Sequence, residues 1–135
     1  MMFVDASAFV AILCAEAGYV PIADRLRAAH GPTTSGFAVV ETVMALCRKK
    51  GLSVEDGESE IEHFLTVAGI AMVPVAANEA RIALAAYARF GKGQGHPARL
   101  NIGDCFAYAC ARTNNVPLLF VGNDFTLTDI RSAMF

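Results

Sequence analysis

Charged side chains are scarce in this 135-residue chain, at 18% of positions against 55% hydrophobic. The net charge of −2 gives no broad cationic face, which excludes a protein that coats nucleic acid non-specifically. A grip on a short stretch of backbone through a local cluster stays open. No apolar run reaches the roughly 20 residues needed to span a bilayer. AFVAILC ahead of Ala15-Glu16-Ala17 has the outline of a signal peptide. It lacks a basic leader, however, and Asp5 stands where positive charge belongs. We therefore expect a cytoplasmic protein whose first residues are the first strand and helix of the mature fold. Cys14, Cys47, Cys105 and Cys110 show no CxxC spacing. Buried reduced thiols are expected, not a disulfide framework or a zinc site. A Ser–His–Asp order, a phosphate-cradling GxxxxGK(S/T) and a dinucleotide GxGxxG are all missing. His30, His63 and His96 are scattered without ligand spacing.

A surface so poor in charge leaves apolar patches exposed, and such patches usually mark partner sites. A homo-oligomer, a protein partner, or both are expected. The length suits one domain, residues 1–135, with a core that needs no disulfide. Met2–Val4 reads as a buried strand and Ala6 to about Glu16 as a helix. A second helix covers Ile22–Ala29 and stops before Gly31-Pro32. Thr33–Ser35 can hold a very short strand. From Phe37 to Lys50, Phe37, Val40, Met44 and Cys47 fall at helical spacing, with three basic residues in the last turn and Gly51 beyond. Ser53 to Asp56 resembles a capping box for a helix that reaches Ala68. Ile70–Val75 reads as a buried strand, Asn78–Phe90 as a helix and Gly91–Pro97 as the flexible loop. Asn101–Thr113 is helical and Pro117–Val121 a strand. Short apolar strands alternating with helices predict an α/β domain around a mostly parallel sheet.

Against this apolar background four acids stand out: Asp5, Glu41, Asp104 and Asp124, each inside an apolar stretch. Charged side chains are seldom buried unless they are paired or bind a metal, and few Lys or Arg lie near these. Singly, three have an ordinary explanation. Asp5 can cap the helix it precedes. Asp104 can be the acid of a cap begun by Asn101. Asp124 can be a turn residue beside Asn123. Glu41 is harder to dismiss, since it lies inside a helix far from either cap. Parallel sheets gather functional residues at the carboxyl ends of their strands, where Asp5 and Asp124 both fall. Carboxylates brought together would raise one another's pKa unless a cation neutralised them. Oxygen-only ligands favour Mg²⁺ or Mn²⁺ over zinc, one or two ions per site. Such clusters serve in-line attack at phosphorus.

MFVDASAFVAIL at the start, VVETVMAL, RLNIGDCFAYACAR and LLFVGNDFTLTDI near the end resemble the PIN domain. More narrowly they resemble the VapC toxins of type II toxin–antitoxin pairs, over nearly the whole chain and in the right order. The resemblance implies a three-layer α/β/α domain and a Mg²⁺- or Mn²⁺-dependent endoribonuclease that inhibits translation. The family's acids would correspond to Asp5, Glu41, Asp104 and Asp124, with Asn123, Asp124 and Asp129 all open for the fourth place. Ser7 matches a small hydroxyl that supports the first acid. Asn101 and Asn123 would support the others. The resemblance further implies a cognate VapB-type antitoxin over the active site, a homodimer, and contact with DNA only through the antitoxin.

Lys92, His96 and Arg99, in and after the glycine loop, are candidate RNA contacts because the loop leads directly to Asp104. Arg81 and Arg112 are further candidates. Two rivals stand beside this reading. A haloacid-dehalogenase phosphatase wants a second acid two residues after the first, where Ser7 stands, and a receiver domain wants a lysine after a late strand, where VGNDF has none. A non-catalytic PIN-like interaction module would have lost one of the acids, and all four are present.

Overall fold

The computed structural model describes residues 1–135 and contains four strands, six α-helices and one 3₁₀ turn. The first strand, β1 (Met2–Val4), is wholly buried. On one side it pairs with β2 (Pro32–Thr34) and on the other with β4 (Leu118–Leu119). A fourth strand, β3 (Ala71–Met72), adds to the outer side of β2. The order is β3-β2-β1-β4, and every pair is parallel. All carboxyl ends therefore lie along one edge.

Side chains alternate across a strand, and here the alternation divides two cores. Phe3 and Leu118 enter a cluster with α5 (Ala77–Phe90) and α6 (Ile102–Thr113). Met2, Val4 and Leu119 enter the other, with α1 (Ala6–Leu13), α2 (Tyr19–Arg27), α3 (Gly36–Lys50) and α4 (Val54–Ala68). The sheet is thus the middle of three layers, the α/β/α architecture expected. β1 and β2 are short because the residues that follow them, Asp5 and Ser35, already cap α1 and α3.

Several boundaries differ from the sequence reading, each for a local reason. α1 stops at Leu13 and not near Glu16, because Ala15 takes a left-handed φ of 47°. Glu16 then turns outward to pair with Lys49 at 2.7 Å. β2 ends a residue early, since Ser35 is taken as the cap of α3 and accepts the Ala38 N–H at 3.2 Å. The strand expected over Ile70–Val75 is reduced to Ala71–Met72 and is exposed, not buried. It is an edge strand, and after Val73 donates to the Thr34 carbonyl at 2.8 Å, Pro74 has no N–H with which to continue.

The apolar spacing that announces α3 is not its buried face. Val40 and Met44 are both 58% exposed, whereas Thr42, Val43, Ala45 and Leu46 are buried. Val54 of α4 adds to the same outer patch. A second apolar groove of about 420 Å³ runs between α5 and α6, lined by Ala80, Ala83, Leu84, Tyr87, Ile102, Cys105 and Phe106. These surfaces match the expected apolar excess. Cys105 and Cys110 are buried, with thiols that burial pushes up to about 11, while Cys14 and Cys47 are only half-buried. No helix is long and apolar enough to cross a membrane.

A candidate carboxylate site at the sheet edge

Asp5 leaves β1 at its carboxyl end and caps α1, its Oδ2 accepting the Ser7 N–H at 3.0 Å. The Ser7 hydroxyl donates to the same oxygen and itself accepts the Val121 N–H at 3.0 Å. Asp5 is only 5% exposed. Burial raises its carboxyl above the ordinary range, against the lowering effect of the Ser7 and Ala6 donors, and Asp124 raises it further.

Asp104 comes from the first turn of α6 in a reciprocal cap. Its N–H donates to Asn101 Oδ1 at 2.8 Å, and its Oδ2 accepts the Asn101 N–H at 3.1 Å. This is the capping box anticipated from Asn101-Ile-Gly-Asp104. Burial is nevertheless the larger influence, and with Asp5 and Asp124 close by it pushes the carboxyl up to about 6. The ordinary explanation and the functional one therefore hold together at this residue.

Glu41, in the middle of α3, is half-buried and forms no ion pair. Burial first, then the charges of Asp5 and Asp104, push it up to about 7. Phe37, one turn earlier, stacks on Phe106 of α6 with ring centroids 5.0 Å apart. That contact brings the α3 carboxylate against the start of α6. Gly103, read from the sequence only as part of a helix start, lies directly beside it. The only signal for it was a glycine inside a helical segment.

Asp124 follows β4 at the start of the 3₁₀ turn Phe125–Leu127 and is exposed. Phe125 is buried against Phe120, which anchors the backbone beside it. Asn123 is exposed and accepts at its carbonyl from the N–H of Thr126 at 3.2 Å and its hydroxyl at 2.6 Å. The electrostatic pattern is ordered. Asp5 and Asp104 form the inner pair, each influenced by Asp124, and both act on Glu41.

Asp129 is not part of this group. It accepts from Tyr108 Oη at 2.6 Å and pairs with Arg112 at 2.9 Å and Arg89 at 3.3 Å. Its carboxyl is held low, chiefly by the Tyr108 donor. Tyr108, which falls on the Asn101 and Asp104 face by spacing, is therefore turned to Asp129. Arg112 is occupied there as well. His96 folds edge-on against Phe90, centroids 5.0 Å apart, and its Nδ1 accepts the Ala98 N–H at 3.0 Å. The neck of the glycine loop is closed by Lys92 N–H to the Leu100 carbonyl and Leu100 N–H to the Phe90 carbonyl, both at 2.9 Å. Lys92, Arg99 and Arg81 are exposed, Arg99 with a left-handed φ of 52°.

No Lys or Arg pairs with Asp5, Glu41, Asp104 or Asp124. Nor do any three of the chain's carboxylate, imidazole or thiol groups converge as a ready-made cage. The donor set suits Mg²⁺ or Mn²⁺ all the same. Mg²⁺ usually binds through one or two carboxylates and keeps several waters, so it requires no closed cage. The raised pKa values agree with this: burial is their main cause, and the neighbouring carboxylates raise them further.

The PIN domain family model matches residues 2–130. Ribonuclease VapC42 of Mycobacterium tuberculosis is 39% identical over 132 residues, covering 98% of both chains. Ribonuclease VapC of Mycolicibacterium smegmatis is 41% identical over 133 residues, covering 96% of this chain and 97% of its own. Among solved structures, M. tuberculosis VapC20, described as a sarcin-ricin loop cleaving toxin, superposes with a TM-score of 0.73 over 96% of each chain. At 19% identity that likeness speaks for the fold.

Proposed function

The chain belongs to the PIN domain family, in its VapC branch, and from that premise we propose that it is a divalent-metal-dependent endoribonuclease acting as the toxin of a toxin–antitoxin pair. The observation that carries the proposal is the set of four carboxylates at the carboxyl edge of the sheet with no basic partner, two of them pushed up to about 6 and about 7. Asp5 and Asp104 would hold the metal, with Glu41 and Asp124 on either flank. Bound Mg²⁺ or Mn²⁺ supplies a Lewis acid for the phosphate and lowers the pKa of its own water.

The residues of the chain do the rest. Ser7 holds Oδ2 of Asp5 through both its N–H and its hydroxyl, which fixes the carboxylate at the strand end. Asn101 orients Asp104 through the reciprocal cap. Asp124, exposed on its anchored turn, stands where an incoming phosphodiester would meet the rim. Lys92 and Arg99 are exposed cations in and after the glycine loop that leads to Asp104, suited to contacts with flanking phosphates. The apolar surfaces around Val40, Met44 and Val54 and along the α5–α6 groove suit a second copy and a VapB-type antitoxin.

The test is cleavage of cellular RNA by purified, antitoxin-free protein with Mg²⁺ or Mn²⁺, compared with Asp5→Asn and Asp104→Asn. Cleavage is expected from the wild type and not from either variant. Equal cleavage by all three would sink the site. Growth arrest on expression, relieved by Asp5→Asn, is the cellular counterpart; arrest that persists in the variant would point to toxicity through binding.

A further inference from the structure

We infer that Gly103 is a positioning residue for Glu41, because the side chain it lacks is the space that the Glu41 carboxylate fills. The inference rests on the reading of Glu41 as a site acid. A Cβ placed on Gly103 would fall inside van der Waals contact with Oε1, Oε2 and Cδ of Glu41. Its backbone does not require glycine: Gly103 lies within α6, outside the left-handed region. Alanine would favour the helix more, since glycine carries a larger entropic penalty there. The glycine thus works against local helix propensity and in return opens a seat.

The surroundings leave that seat little room to adjust. Gly103 is buried, and the cleft around it is lined by Ser35, Phe37, Ala38, Phe106 and Ala107. The Phe37–Phe106 stack holds α3 and α6 together on one side of it. Buried Ala38 and Ala107 pack beneath. A methyl group at position 103 therefore meets the one mobile group in reach, the end of the Glu41 side chain. Rotation of that side chain is easier than separation of two packed helices, so the variant keeps its fold and loses the carboxylate from its place.

The experiment compares wild type, Gly103→Ala, Glu41→Gln and the double variant. Crystal structures of wild type and Gly103→Ala are expected to superpose along α3 and α6, with the Glu41 side chain in a different rotamer. An unmoved Glu41 with the helices pushed apart would overturn the inference, as would a sharply lower melting temperature of Gly103→Ala in chelator that Glu41→Ala does not restore. Calorimetric titration with Mn²⁺ alone is expected to weaken about tenfold in Gly103→Ala, as for loss of a site-orienting contact. Glu41→Gln should match it, and the double variant should be no weaker. Losses that multiply in the double variant would overturn it. If Gly103→Ala does not fold, adding Glu41→Ala must restore folding, and failure to do so also overturns it. Protein that shows the coupling yet cleaves no RNA would sink the enzymatic reading alone.

Discussion

The hydroxyl of Ser7 accepts the backbone N–H of Val121 at 3.0 Å, across 114 positions of sequence. The same hydroxyl donates to Asp5, so one small side chain ties the first acid to the segment that carries Asp124. Ser7→Ala removes both links at once. The Val121 N–H loses its partner and Asp5 loses a donor that opposes its raised pKa. Stability is expected to fall by about 1–2 kcal/mol. Cleavage should fall about 10–100-fold, the usual effect of losing a hydrogen bond behind a metal-binding carboxylate. Urea unfolding and an RNA cleavage assay on one preparation check both. Wild-type cleavage in the variant would show that Asp5 needs no such support.

A second expectation concerns pH. Burial and neighbouring charge push Glu41 up to about 7 and Asp104 up to about 6, from ordinary carboxylate values. Between pH about 4 and 7 the folded chain then holds protons that the unfolded chain has released, so each rise in pH favours the unfolded state. In chelator, the melting temperature should decline from pH 5 to pH 8. Glu41→Gln should match the wild type near pH 5, where Glu41 is protonated, and exceed it at pH 8. Mn²⁺ should raise the wild-type value most at pH 8, where it neutralises the ionised acids. Thermal melts with and without metal test this, and a wild-type midpoint that climbs with pH in chelator would contradict it.

Asp129 separates structure from chemistry. It joins Tyr108, Arg112 and Arg89, pinning the segment after the 3₁₀ turn to α5 and α6. The two arginine pairs are exposed and weak individually. The hydrogen bond from Tyr108, whose side chain is otherwise buried, is the more valuable contact. Asp129→Ala is expected to cost about 1–3 kcal/mol by leaving that hydroxyl unpaired, with cleavage retained at a temperature well below the melting point. Loss of cleavage as complete as that of Asp104→Asn would place Asp129 in the catalytic set.

Much of this arrangement was legible in the sequence. The order of strands and helices followed from breakers and caps, since Gly51, Ser53 and Asn101 act locally. Asp104 could be recognised both as a capping acid and as a site acid because one geometry serves both purposes. The outward patch at Val40 and Met44 was not legible, since apolar spacing on a helix does not reveal which stripe meets the core. Nor was the hydrogen bond of Tyr108 to Asp129 or the edge-on packing of His96 against Phe90, neither of which follows from local spacing. Gly103 escaped for the same reason: a helix-start glycine becomes informative only when Glu41 of another helix lies against it.

The glycine loop provides the last prediction. His96 spends its Nδ1 on the Ala98 N–H and its ring on Phe90, so it is engaged in holding the loop. Lys92 and Arg99 are exposed on either side of the loop's closed neck and form no ion pair. Binding of labelled RNA to the inactive Asp5→Asn protein, measured at several salt concentrations, separates these roles. Removing one phosphate contact should lower the salt slope of log affinity by about one. Arg99→Ala and Lys92→Ala are expected to show that drop with unchanged melting temperatures. His96→Ala should instead lower the melting temperature and keep the wild-type slope, because what it loses is packing on Phe90. A reduced slope in His96→Ala alone would transfer the phosphate contact from the two cations to the imidazole.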